Sequence, residues 1–479
     1  MSRTIFTAGP TTRGLRIGTA AVGVCVAAAL VTAGLGARGR QQPVAPPTPQ
    51  QPSEVSTTIS STEAGAAPRF AVPDFIAVPT RDGRPADAET IEAARTIGRV
   101  LFDDLSFERE FSLIPRDVYN SIPTATSLDD VPFDRWREIN ADGVIVGTVQ
   151  KTDTGVRVEA RLFNVRSRQA AFAREYSGSI ANRRLYAHTI SDEIHQQQRA
   201  LRGVARTKLT FNSDRDGERM GGTVENRGVK EIYIADYDGE NQRRVTTQRS
   251  LNINSAWSPD ARSIAYTSYR RGAPQIFISN IYQGTLEELT KGVSGQNWLA
   301  AWSPDGTRVA FSSTRDGNSE IYVANRDGSN ARRLTNHAAI DTSPTWAPSG
   351  IQIAFISDRT GTPQVWVMGV DGLGQRQVTR ESYADRPTWS PAPFNEIAYA
   401  ARTGPGLDIR VLELASGQVR QLTFGEGTNE SPTFSANGRH VAFMSTRSGK
   451  SQIFTIARDG KDLRQITRTG NNYGPDWSK

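Results

Sequence analysis

The chain has 479 residues, with 57 Lys and Arg against 50 Asp and Glu. Arg3, Arg13, Arg16, Arg38 and Arg40 fall before residue 41, where no acid occurs. This leaves 52 basic against 50 acidic groups downstream and no basic stripe for nucleic-acid capture. The single cysteine, Cys25, excludes a disulfide framework, and its place near the N-terminus leaves the rest of the chain without thiolate chemistry.

Arg3, Arg13 and Arg16 precede an uncharged stretch, Ile17 to Ala37, rich in Ala, Val and Gly. A positive start followed by such a run reads as an export signal over residues 1–37. Its 21 residues also suffice to cross a bilayer as an uncleaved anchor, and both readings stay open. Ala33 and Gly36 offer small residues for cleavage, while Val24 before Cys25 argues against a lipid-attachment box. Export without disulfides suits a bacterial periplasm. Residues 38–68 follow as a Pro-, Gln- and Ser-rich stretch with prolines at 43, 46, 47, 49 and 52. That composition buries too little apolar surface to fold and predicts an extended linker.

Residues 69–202 change rhythm and predict a small α/β domain. Phe70 to Phe75 reads as a strand start, and Asp87 to Leu105 as a helix with Ile91, Ala94, Ile97 and Leu101 at helical spacing. Phe111 to Ile114 reads as a second strand and Phe133 to Asn140 as a short helix. Val144 to Gly147 pairs naturally with the alternating run Val156, Val158, Ala160, Leu162. Arg183 to Gln198 then forms an amphipathic helix leading into the final segment.

Residues 203–479 repeat. Aromatic anchors recur at Trp257, Trp302, Trp346, Trp389, Phe434 and Trp477, spaced 45, 44, 43, 45 and 43 residues apart. Each unit reads as four short strands divided by Gly, Asp and Pro turns, as in Ala300 to Trp302, Arg308 to Phe311, Glu320 to Val323 and Arg333 to Thr335. Self-similarity at this period predicts an all-β six-bladed propeller. The first unit, from Lys208, lacks an anchor strand, and the last, Tyr473 to Ser478, has nothing else. Together they complete one blade and latch the ring shut, hiding edge strands that would otherwise pair with other chains. An anchor at the same place in every blade is packing between neighbours, and the repeated Ser-x-Arg-x-Gly turns are turn chemistry in which the arginine satisfies nearby polar groups.

Nothing in the sequence builds a catalytic centre. His188, Asp192 and His195 share one helix face and have zinc-ligand chemistry, but no glutamate base follows the first histidine as it does in a zinc-protease helix. Asp214 to Gly217 lacks the later glutamate of a calcium loop. No Gly-x-Ser-x-Gly elbow occurs, and the inner strands do not supply the His, Arg and metal-ligand cluster of a polysaccharide lyase. The expectation is therefore no catalytic residue, no metal and no cofactor, with an exported scaffold or sensor for another envelope protein, or a lyase-like enzyme, as the competing readings.

Three stretches carry a family resemblance: Trp136-Arg137 with Ala141 to Gly147, Arg161 to Val165, and Arg184 to Ile194. With the junction Gly203 to Phe211 and the repeats, residues 69–479 resemble the TolB family of the bacterial Tol-Pal envelope system. The resemblance implies a non-enzymatic, monomeric periplasmic protein that docks the peptidoglycan-associated lipoprotein on its propeller. It also implies a link to TolA or other inner-membrane Tol proteins, in outer-membrane constriction during division and in envelope integrity. Two departures stand out. A Pro-rich linker replaces the family's N-terminal TolA-binding segment, and the blades themselves differ, the first carrying extra residues around Glu218 to Val229 at one rim and the fifth reading Ala400-Ala401-Arg402 where a Ser-x-Arg turn belongs.

Propeller geometry narrows the docking surface. The loop before each anchor strand crosses from the outer edge of one blade to the channel, so six such loops converge on one mouth. They bring Asn252, Asn254, Asn297, Trp298, Asp341, Thr342, Asp385, Arg386, Asn429, Glu430, Asn472 and Tyr473 together as a candidate partner-binding rim. The resemblance implies that Asn254, Trp298 and Thr342 stand where the family meets its lipoprotein. Trp298 is the leading hot spot, because an exposed Trp is costly unless it packs on something.

Overall fold

The protein is described by a computed structural model covering residues 57–61, 65–220 and 228–479. The export segment, Cys25 and most of the linker lie outside the described residues. Val55–Lys479 forms a single unit by its contacts.

Arg69–Ala71 (β1) opens the α/β part, and Pro73, which cannot donate to a ladder, interrupts it before Ile76–Val78 (β2). Asp87 caps the helix Ala88–Glu108 (α1) by accepting the Thr90 N–H at 2.9 Å. The helix ends on Arg109 in the left-handed region, φ 61°, and so runs past the expected Leu105. Ser112–Leu113 (β3) and the short helix Phe133–Glu138 (α2) follow. Gly143–Thr152 (β4) and Gly155–Asn164 (β5) form an unbroken antiparallel ladder, and Ala170–Gly178 (β6), not anticipated from sequence, continues the sheet at its edge. Arg183–Arg199 (α3) completes this part.

The sheet order is β3-β1-β4-β5-β6, with β2 also pairing β4. Both long helices cover one face, Ile97, Leu101, Leu105, Ile190 and Ile194 packing on Ile145, Val149, Val158 and Leu162. Trp136 of α2 covers Val144, Val146 and Phe163 on the other. The linker is not free to its end. Ile59 is buried in the helix-covered core, its N–H donating to Gln198 Oε1 at 2.9 Å while Gln198 Nε2 donates to the Thr57 carbonyl at 3.1 Å.

The remaining described residues form six four-stranded sheets. Blade 1 combines the C-terminal strand Asn472–Trp477 with Lys208–Ser213, Glu231–Asp236 and Arg243–Arg244. Blades 2 to 6 begin at Asn252, Asn297, Asp341, Ala384 and Asn429. Closure pairs Asn472 with Ser213 and Trp477 with Leu209 and is locked by Trp477 Nε1 donating to Thr207 Oγ1 at 2.7 Å. The anchors wedge between blades: Trp302 donates to the Ala256 carbonyl and Trp346 to the Ala301 carbonyl, both at 3.1 Å.

The α/β part sits on blades 1 and 6, at the end where the inner strands finish. Phe107 stacks on His440 at 4.0 Å between centroids, and Arg109 reaches Asp459 at 3.1 Å and Asp462 at 2.8 Å. The mouth where the inner strands begin faces the other way and, among the described residues, is left open.

Candidate binding rim

The six inner strands share one conformation, and counting back from the anchor sorts the rim into rings. The fifth residue back is Asn252, Asn297, Asp341, Ala384, Asn429 or Asn472, and all are 0% exposed. Asn297 donates to Gln275 Oε1 of the preceding blade at 2.8 Å and accepts from Arg315 at 3.3 Å. Asn472 does the same between Gln452 at 2.9 Å and Arg215 at 2.9 Å, and Asn429 between Asp408 at 3.1 Å and Arg447 at 3.0 Å. Asn252 donates to Glu231 at 2.8 Å, and Asp341 accepts from Arg359 at 2.8 Å. The four asparagines wire their blades to the preceding ones, Asp341 is tied within its own blade, and none of the five has side-chain surface to offer a partner.

The same contacts explain the Ser-x-Arg turns. Arg315 bonds Ser313 through Nε at 3.0 Å and lies over Phe311 and Tyr322, 5.3 and 4.4 Å from the ring centres. Blade 5 replaces the whole set: Ala384 and Ala401 remove the polar partners, and Arg410 occupies the strand position held by Tyr322 in blade 3. Arg410 pairs with Glu381 at 2.7 Å, and Tyr399 donates to the same carboxylate at 2.8 Å.

The fourth residue back is Ile253, Trp298, Thr342, Asp385, Glu430 or Tyr473, and every one is half-buried at the open mouth. The sequence reading missed Ile253; strict counting from Trp257 would have found it. The third residue back is Asn254, Leu299, Ser343, Arg386, Ser431 or Gly474, all with φ between 52° and 57°. This is a β-bulge repeated in each blade, where the ladder loses register between the fourth and first residues before the anchor. Asn254 therefore stands one step deeper than Trp298 and Thr342.

The mouth is chemically uneven. Ile253, Trp298 and Leu299 make an apolar arc, followed by Thr342 and Ser343. Asp385 and Glu430 face each other across blades 5 and 6 beside Arg386. Burial first, then the charge of Asp385, pushes the Glu430 carboxyl above its ordinary range, with Arg386 opposing. Lys230 Nζ sits 3.6 Å over the Tyr473 ring. Below the mouth, Pro344, Pro387, Pro432 and Pro475 line a channel cavity of about 170 Å³. Asp476, in its wall, accepts the Trp257 N–H at 2.7 Å and the Thr433 hydroxyl at 3.2 Å, and burial raises its carboxyl to about 6.

The helix-face trio does not converge. His188 Nδ1 lies 2.8 Å from Asp104, His195 Nδ1 lies 2.9 Å from the Ser191 carbonyl, and Asp192 bonds Ala205 N and Arg206, each at 2.9 Å. Among the described residues no cluster of three or more His, Cys, Asp or Glu could hold a metal, and no helix is long and apolar enough to cross a membrane.

The described residues thus form a closed six-bladed ring with an α/β domain at the margin of one mouth. Residues 199–406 and 381–479 match the TolB beta propeller domain, and residues 66–171 the TolB amino-terminal domain. The chain belongs to the TolB family. It is 33% identical over 208 residues to the Tol-Pal system protein TolB of Desulfosudis oleivorans, covering 43% of this chain and 45% of that one. To the protein of the same name in Anaeromyxobacter dehalogenans it is 32% identical over 292 residues, 58% of this chain and 64% of that one. The chain thus spans about half to two thirds of the length of these relatives. The crystal structure of TolB from Acinetobacter baumannii shares the fold, with a TM-score of 0.71 at 24% identity over 86% of this chain and 97% of that one.

Proposed function

We propose that the chain works in the periplasm as the Tol-Pal component that docks the peptidoglycan-associated lipoprotein on the open mouth of its propeller. Its N-terminal side links that contact to TolA or other inner-membrane Tol proteins, supporting outer-membrane constriction and envelope integrity. The observation that carries this reading is the fourth-back ring. Six half-buried side chains at the mouth facing away from the α/β domain combine an apolar arc around Trp298 with polar and charged neighbours, the mix found in protein interfaces. Asn254, Trp298, Thr342, Asp385, Arg386, Glu430 and Tyr473 are the residues proposed to touch the partner.

The test is capture from envelope extract by the chain and by its Trp298→Ala, Thr342→Ala variant. Recovery of the lipoprotein by the first and its loss by the folded variant is expected. Recovery of a different envelope protein would keep the platform and discard the Tol-Pal role. Lipoprotein binding that survives both substitutions would move the site off this mouth.

A further inference from the structure

Two clusters of buried titratable groups join the α/β domain to the ring, and neither belongs to the rim. Glu108, the last residue of α1, is 2% exposed. Its carboxyl accepts the Val204 N–H at 2.9 Å and Asn437 Nδ2 at 3.1 and 3.2 Å, all neutral donors. The cations nearby are engaged elsewhere: Arg439 of blade 6 with Glu110, Arg109 with Asp459 and Asp462, and Arg206 of the junction with Asp192 of α3. Arg199 of α3 donates to the Glu110 carbonyl at 3.2 Å, and Arg464 of blade 6 lies over the Phe107 ring. His440 of blade 6 holds the Phe107 carbonyl through Nε2 at 3.0 Å, and His195 holds the carbonyl of its own helix.

One turn back on α1, Asp104 is fully buried between His188 of α3, at 2.8 Å, and the Tyr237 hydroxyl of blade 1, at 2.7 Å. The other nitrogen of His188 lies 3.7 Å from Asp236, which Lys208 also pairs at 2.5 Å. Asp238 is paired by Arg184 of α3, and its charge also acts on Asp103 of α1.

We propose that seating of the α/β domain on blades 1 and 6 is proton-linked: the closed interface holds Glu108 as the neutral acid and His188 as the imidazolium, and alkaline conditions remove both protons and open it. A carboxylate buried against neutral donors loses more in hydration than those donors return. A histidine between two carboxylates is instead held charged. Burial pushes Glu108 up to about 8. His188 reaches about 9, burial lowering it while Asp104 prevails by its charge and hydrogen bond.

Opening exposes both groups to water, where their ordinary values are about 4.3 and about 6.5. Both therefore bind protons more tightly when closed, so the closed form is lost as pH rises above about 6.5. Each group raises the opening constant up to about tenfold per pH unit, and both act together between about 6.5 and about 8. His440 and His195, held down by burial to about 3 and about 4, oppose closure only on the acid side.

The test uses the full chain with Cys25→Ser and a pair of probes on Arg166→Cys and Lys291→Cys, exposed sites on the two sides of the interface. Interprobe distances are recorded from pH 5.5 to 9.5. The expected result is the shortest distance near pH 6.5 and a second, longer population that grows through pH 8. In Glu108→Gln the dependence should weaken to a single-proton slope. An unchanged distance distribution across the range, or an identical slope in Glu108→Gln, would overturn the proposal. Carbon-13 titration of the glutamate carboxyl lost in that variant gives a second reading. A midpoint near 8 is expected in the closed protein, and one near 4 would overturn it even if the variant failed to fold.

Discussion

Asn297 and Trp298 are neighbours in the chain and do opposite work. Asn297 is fully enclosed and ties two blades together, whereas Trp298 sits half-exposed at the open mouth. The same contrast runs round the ring wherever the fifth residue before an anchor is polar. One step of a strand turns a side chain to the other face, so a residue that fixes the ring and a residue that can meet a partner alternate without a loop between them. Blade 5 is the exception that clarifies the rule. Ala384 has given up the tie, and Glu381 with Arg410 and Tyr399 has taken it over from outside the inner strand.

The largest effect should come from removing the strand that makes the ring a ring. Deleting Tyr473 to Lys479 strips blade 1 of its inner strand, leaves Lys208–Ser213 as an open edge, and removes the Trp477 wedge that packs with Leu209 and Phe211. The expected outcome is loss of cooperative unfolding by calorimetry. A single sharp transition near the parent temperature would show that closure does not depend on this latch.

Next is the wiring itself. Glu320 is fully buried and takes Arg333 at 2.6 Å, the Thr335 hydroxyl at 2.6 Å and the His337 N–H at 2.8 Å. Glu320→Ala strands these donors and should cost about 3–5 kcal/mol in denaturant unfolding, the range for breaking a buried ion pair from one side. Asn297→Ala leaves Gln275 and Arg315 each short of a partner and should cost about 1–3 kcal/mol. Trp298→Ala, one residue on, should change stability by no more than about 0.5 kcal/mol while weakening partner docking by about 2 kcal/mol or more. If Asn297→Ala and Trp298→Ala cost the same stability, the division between the two rings fails.

That division was only partly legible in the sequence. The anchors and turns fixed the number of blades, because their chemistry repeats at a constant spacing. The mouth could be located for the same reason, but its inward and outward residues could not be separated by simple alternation. The bulge at Asn254, Leu299, Ser343, Arg386, Ser431 and Gly474 inserts a residue in every inner strand, which shifts the phase between the anchor and the mouth. Asn252 and Asn254 consequently looked alike and are not. β6 escaped notice because Arg174, Glu175 and Ser177 give an edge strand little apolar pattern, and Ile59 because one isoleucine among Ser and Thr carries no pattern, its burial coming from the distant helix-covered core and a bond to Gln198, 139 residues away.

The smallest expected effect probes the channel between the two mouths. Asp476 occupies the place held by Ala256, Ala301, Thr345, Thr388 and Thr433 in the other inner strands, so it is the one carboxylate in that ring. Burial raises it to about 6, and the Trp257 N–H and Lys479 lower it only in part. An acid with a raised value in the folded state favours folding most when protonated. Its contribution is complete below the unfolded value, near 3.8, and is lost as pH rises through about 6. Asp476→Asn keeps an oxygen for the Trp257 N–H and removes the charge. Melting of the parent should therefore fall relative to the variant between pH 4 and pH 6 and run parallel above it. Parallel curves across the whole range would mean that water in the channel solvates Asp476 as fully as bulk water solvates it in the unfolded chain, and that the channel wall is wet at this point.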